Sequence, residues 1–184
     1  AAVRERFPEL PLMADANGDY RLEDAEHLAR LDAYGLTMIE QPLSYADIWE
    51  HSLLQKQLAT PLCLDESIHD LADFRAAAEL GACRILNLKE GRVGGLLESL
   101  RLLRFAKERG IPVWSGGMDE TGIGRAVNIH LQTVDGFTLP GDTSETTRYF
   151  REDLVTPSVV LDAEGFIEVP AGAEEQFAYK PGQF

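Results

Sequence analysis

Short apolar runs, each bounded by proline, glycine or polar residues, recur along the chain about every 25 residues: LPLMAD ending at Asp15, GLTMIE at Glu40, TPLCLD at Asp65 and CRILNLK at Lys89. Two more follow, IPVWS ending at Ser115 and DGFTLPG ending at Gly141. These runs are too uniformly apolar for strands with one wet face, so they predict strands buried on both sides. Between them the pattern turns helical, over LEDAEHLARLDAYG, DIWEHSLLQKQLA, IHDLADFRAAAELG, LLESLRLLRFAKERG and TGIGRAVNIHLQTV. Three of these segments run into Gly35, Gly81 and Gly110, suited to the left-handed residue that stops a helix. The first residues, AAVRERF, read as the last turns of an amphipathic helix, with Val3 and Phe7 four apart and no capping residue ahead of them.

Alternation of strands with helices of this length predicts an α/β fold with a parallel sheet covered by helices. A doubly wound sheet would offer a glycine-rich phosphate turn after its first strand, and MADANGDYRLED holds no G-x-G-x-x-G. A barrel instead collects its active site at the C-terminal ends of successive strands, where the polar residues of these runs stand. A barrel is therefore expected. Six strands do not close the usual eight-stranded one, which predicts that an N-terminal piece is missing.

The ends of the runs are in phase: Asp15 to Glu40 is 25 residues, Glu40 to Asp65 is 25, and Asp65 to Lys89 is 24. One acidic residue at a strand end is ordinarily a cap or a solvated loop residue. Three in phase, followed by a lysine, predict a shared site. Three carboxylates at one barrel mouth raise one another's pKa by repulsion, and a divalent cation removes that conflict. Oxygen ligands with the rest of the shell left to water or substrate suit Mg2+ or Mn2+. Calcium meets the same ligand type. Zinc fits less well, because His27, His51, His69 and His130 fall in predicted helices or their first turns and are expected at the surface. Lys89, facing a cationic centre, is expected to have a pKa lowered toward neutrality, as a general base requires. Such a cation and base together define removal of the proton α to a carboxylate through an enediolate.

Composition narrows the partners. At 184 residues, 45% apolar and 26% charged, the chain can bury a sizeable core. Its net charge of -14 opposes nucleic acid and anionic membranes, leaving a small carboxylate substrate that a metal or lysine can attract. No apolar run approaches the roughly 20 residues of a spanning helix, and the N-terminus lacks a signal-peptide core, so the expected location is the cytoplasm. Cys63 and Cys83 lie in apolar stretches and are expected to pack in the core.

The segments MADAN, MIEQP, CLDES, LNLKEGRVGG, SGGMDETGIGRA and GFTLPGDTS, in this order, resemble the enolase superfamily. Within it they are similar to the N-acylamino-acid racemase and o-succinylbenzoate synthase family of the muconate-lactonising subgroup. The resemblance implies the C-terminal part of a modified TIM barrel of (β/α)7β type, strands three to eight present, over residues 1–153. It implies a tail, 154–184, that returns to pack on a capping domain. Asp15, Glu40 and Asp65 would then hold Mg2+, Lys89 would be the base, and Asn17, Ser115, Gly116, Gly117 and Met118 would line the substrate pocket. The paired glycines would let main-chain N–H groups approach a substrate oxygen.

The implied activity is racemisation of N-acylated amino acids, with o-succinylbenzoate synthesis beside it, in a homo-oligomer. Cycloisomerisation and dipeptide epimerisation belong to the same subgroup, and a non-catalytic, metal-binding fragment is the alternative. The chain departs from the family in one respect that bears on chemistry. The family's K-x-K motif has no counterpart, since the lysines are 56, 89, 107 and 180.

Overall fold

The computed structural model describes residues 1–169 and 178–179. The chain forms two compact units, Ala1–Val113 and Trp114–Phe184. Of the expected tail, residues 170–177 and 180–184 lie outside the described residues.

The first unit opens with helix α1 (Ala2–Arg6) and strand β1 (Met13–Asp15). A helical stretch centred on α2 (Ala25–Ala29) leads to β2 (Met38–Glu40), and α3 (Trp49–Gln55) to β3 (Leu62–Leu64). Then come α4 (Leu71–Leu80), β4 (Ile85–Leu88) and α5 (Leu96–Arg109). A fifth strand, β5 (Val113–Ser115), completes a sheet of order β1-β2-β3-β4-β5. The first four strands pair in parallel, as the alternation predicts. β2, β3 and β4 are buried throughout, which accounts for their continuous apolar runs. β1 is the edge, and its Met13 is 40% exposed.

Helix ends follow the sequence closely. Gly35, Gly81 and Gly110 take φ values of +58°, +72° and +64°, the left-handed stops expected of them. Asp70 caps α4 by accepting from the N–H groups of Ala72 and Asp73. Leu28, Ile39, Leu43, Leu54 and Leu62 form one part of the core, and Phe74 of α4 meets Phe105 of α5 edge to face. Cys63 and Cys83 are buried thiols in the core, not joined in a disulfide, as expected. Val3 and Phe7, the apolar positions of the α1 segment, are both about half exposed, and the Arg6 guanidinium lies over the Phe7 ring. Arg4 anchors this segment, donating to the carbonyls of Tyr34 and Gly35 on one side and of Pro8 and Leu10 on the other.

Register places the strand-end residues on one face. Partners in register share a face, and side chains alternate along a strand. Asp15 pairs with Glu40. Glu40 pairs with Cys63, so Asp65, two residues on, shares the face of Glu40. Cys63 pairs with Ile85, so Asn87 and Lys89 share it too. The functional residues advance by two positions per strand from β2 to β4, the stagger by which a sheet curls toward a barrel.

The second unit holds α6 (Gly122–Gln132), a 3-10 turn at Thr146–Arg148, and a two-stranded antiparallel ribbon of β6 (Val155–Thr156) and β7 (Ala178–Tyr179). Asp153 accepts from the Gly122 N–H at the start of α6 and from the Thr146 hydroxyl. The sixth apolar run, DGFTLPG, is not a strand. Asp142 N–H donates to Ser115 O at 3.2 Å just beyond it, but Pro140 within the run has no N–H to offer a ladder. Among the described residues no helix is long and apolar enough to cross a membrane.

Candidate active site

Asp15, Glu40, Asp65 and Lys89 stand at the C-terminal ends of β1 to β4, Asp65 and Lys89 one residue past the last strand position. Glu40 is buried, and Asn87 Nδ2 donates to its Oε1 at 2.5 Å. Burial pushes its pKa up to about 8, and the negative charges of Asp15 and Asp65 add to the rise against the pull of Asn87 and Lys89. Glu40 therefore feels both of the other carboxylates.

Asp65 is also buried. Its Oδ2 accepts from Lys89 Nζ at 2.5 Å and its Oδ1 from the Arg92 guanidinium. Arg92 further donates to Ile68 O at 2.7 Å and Asn87 O at 2.5 Å, so the loop after β3 and the end of β4 converge on one cation. The expected depression of the Lys89 pKa is not found. Burial does oppose its charge, but the hydrogen bond and charge of Asp65 outweigh burial and hold the ammonium above the ordinary lysine value. Arg92, the positive charge beside the lysine, lowers its pKa too, but not enough to offset Asp65.

With Asp65 turned to Lys89 and Arg92, no three His, Cys, Asp or Glu side chains among the described residues are gathered as a cation site. The donor chemistry nonetheless suits a hard divalent ion: the ligands would be carboxylate oxygens whose mutual repulsion already burdens Glu40.

Asn17 follows Asp15 in a left-handed turn, φ +45°. Its N–H donates to Asp15 Oδ1 at 2.9 Å, and its carbonyl accepts from Tyr45 Oη at 2.9 Å. The surface reading of the histidines fails at His51, which is fully buried. Its Nε2 accepts from Leu43 N–H at 3.1 Å, so Nδ1 carries the proton and faces Asp47. Burial holds its pKa below the usual histidine value despite Asp47. His51 braces the loop that follows Glu40.

In the second unit Ser115 ends β5, buried, and its Oγ has no hydrogen-bond partner among the described residues. In the next turn two main-chain donors are engaged. Gly117 N–H donates to Asp142 Oδ1, and Met118 N–H to Glu120 Oε2 at 2.9 Å. A Cβ on Gly117 would stand 3.0 Å from that Asp142 oxygen and 3.1 Å from the Asp142 carbonyl oxygen, a tight approach. Arg125, wholly buried, donates to Met118 O at 3.0 Å and lies 3.1 Å from Glu120 Oε2. The Met118 side chain itself is exposed.

Sequence reasoning passed over Asn87, Arg92 and Gln41 as functional residues. Asn87 carried a signal, a polar residue in a buried strand two positions before Lys89.

The chain is similar to known proteins over nearly its whole length. Residues 1–173 match the family described as enolase C-terminal domain-like. An o-succinylbenzoate synthase of Geobacillus kaustophilus is 53% identical over 91% of this chain and 44% of its own. An N-succinylamino acid racemase of Thermus thermophilus is 50% identical over 93% of this chain and 46% of its own. The chain thus spans less than half the length of these curated relatives.

Two solved structures extend the comparison. An unknown member of the enolase superfamily from Enterococcus faecalis superposes with a TM-score of 0.91 at 46% identity, covering 97% of this chain and 48% of that one. A dipeptide epimerase from Cytophaga hutchinsonii, complexed with Mg and the dipeptide D-Ala-L-Val, gives a TM-score of 0.86 at 26% identity, over 98% of this chain and 50% of that one. On the curled parallel sheet and this match, the chain belongs to the enolase C-terminal domain-like family.

Proposed function

We propose that the protein carrying this chain removes the proton α to the carboxylate of an N-acylated amino acid and returns it, as a racemase, and that it also dehydrates the precursor of o-succinylbenzoate. Asp15, Glu40 and Asp65 would hold Mg2+, with Mn2+ as a substitute. The ion would supply positive charge to a substrate carboxylate as it becomes an enediolate. Lys89 Nζ, once it has released its own proton, takes the α-proton. The pair left behind on the α-carbon is quenched by a proton on the opposite face in racemisation, or expels a β-hydroxyl in dehydration, which leaves as water with the proton that Lys89 has gained. The opposite-face acid would come from outside residues 1–184, because no second lysine follows the family's K-x-K pattern.

The observation that carries this reading is the contact of Lys89 with Asp65 beside a Glu40 that feels both other carboxylates. The names of the two curated relatives support the substrate class. The Mg complex of the dipeptide epimerase supports the metal. Asn17 and the turn from Ser115 through Gly116 and Gly117 to Met118 are proposed to line the pocket, and residues 154–184 to return to a capping domain. A cytoplasmic homo-oligomer is part of the same reading.

For the 184 residues alone we propose folding and metal binding without turnover, because they span under half of each curated relative. Proton NMR in deuterated water tests the main claim. With Mg2+ and an N-succinyl amino acid, the protein carrying this chain should wash out the α-proton signal, and Lys89→Ala should stop it. Undiminished exchange in the variant removes Lys89 from its role.

A further inference from the structure

We propose that Gln41 is a positioning residue that fixes the three carboxylate-bearing loops relative to one another, and so sets the strength of divalent-cation binding. This rests on the metal site proposed above. Gln41 follows Glu40 directly and is fully buried. Its side chain reaches the loop after β3: Oε1 accepts from Asp65 N–H at 3.0 Å and Ser67 N–H at 3.3 Å, and Nε2 donates to Ser67 Oγ at 2.7 Å. The same Nε2 donates within its own loop, to Leu43 O at 3.1 Å. Its backbone carbonyl takes the loop after β1, accepting from Gly18 N–H at 2.7 Å. Its N–H donates to Cys63 O at 2.9 Å.

One residue thus touches the segments that follow Asp15, Glu40 and Asp65. Its backbone sits at φ +35°, a conformation residues other than glycine rarely adopt. Such strain persists only where surrounding contacts over-determine it, and it recurs at functional sites. An apolar residue could fill the space but could not grip both the donors of Asp65 and Ser67 and the acceptors of its own loop. Partners that orient metal ligands without touching the ion typically change affinity by about 10- to 100-fold.

The test uses the protein carrying this chain, as wild type, Gln41→Leu and the shorter amide Gln41→Asn. Mn2+ affinity is measured by calorimetry, thermal unfolding of the metal-free forms checks folding, and amide exchange follows Asp65 and Ser67. The expected result is at least a tenfold weaker Mn2+ affinity in folded variants, with faster exchange at both amides. A residue of merely structural value would lower the unfolding temperature and leave the affinity of the folded fraction unchanged, and that result overturns the proposal. If Gln41→Leu does not fold, Gln41→Asn decides by the same criterion. A wild type that binds no Mn2+ overturns the metal reading itself, an outcome distinct from variants that bind as tightly as wild type.

Discussion

Asn87 Nδ2 lies 2.5 Å from Glu40 Oε1, although β3 runs between their strands. The contact is possible because the sheet curls and because register gives both residues the same face. It joins strands that are not neighbours in the sheet, and it lands on a carboxyl whose pKa burial pushes well above the usual range.

That disturbance has a pH signature. The pKa of Glu40 in the fold, about 8, stands above its unfolded value of 4.5, so the fold binds this proton more tightly than the unfolded chain does. Its stabilising contribution is complete below pH 4.5 and is lost as pH rises through about 8. The unfolding temperature of the metal-free protein should therefore fall by several degrees between about pH 5 and 8 on this account. Glu40→Gln should flatten the slope, and Mg2+ should restore stability at the alkaline end if the proposed site binds it. Calorimetric scans across that range check this, and an equal slope in wild type and variant would refute it.

Arg92 offers a second test. Its guanidinium is nearly buried and serves Asp65, Ile68 O and Asn87 O together. Arg92→Met would take the donor from one oxygen of the buried Asp65 and from two carbonyls, while Lys89 still holds the other oxygen, so the loss should reach at most the about 3–5 kcal/mol of a fully broken buried pair. Arg92→Lys should recover only part of it, because an ammonium cannot match the fixed fork of donors. Denaturant unfolding reads both. A loss below about 1 kcal/mol in Arg92→Met would show that the pair is not formed in solution.

What the sequence made legible was what it encodes locally. Gly35, Gly81 and Gly110 each mark a helix end through a single φ angle, and the apolar runs mark buried strands through composition. The in-phase placement of Asp15, Glu40, Asp65 and Lys89 survives because a β/α repeat of constant length puts equivalent positions at equivalent strand ends. Pairings between units are another matter. Nothing near residue 92 says that its side chain will reach Asp65, 27 positions earlier, or that Asp65 will in turn draw the Lys89 pKa upward. His51 fails for the same reason: helix periodicity gives a face, but burial depends on the loop that Leu43 brings over it. In DGFTLPG the apolar pattern suits a strand, while Pro140 withholds the donor that a ladder needs.

The turn after β5 supplies the last test, through Arg125 and Glu120. Glu120 Oε2 accepts the N–H of Met118, and Arg125 donates to the carbonyl of the same residue, while the two side chains lie 3.1 Å apart. Arg125 is fully buried and the Glu120 side chain is only 16% exposed, so removing either one leaves the other's charge poorly solvated. Their effects on stability should not add. A double-mutant cycle with Arg125→Met, Glu120→Gln and the pair should give a coupling of about 1–3 kcal/mol. The double variant should be little less stable than Arg125→Met alone, because the amide oxygen introduced by Glu120→Gln can still accept from the Met118 N–H while carrying no charge. If the single losses sum to the double, the clamp does not act as a unit, and the order of the Gly116–Met118 turn must come from Asp142 on Gly117 instead.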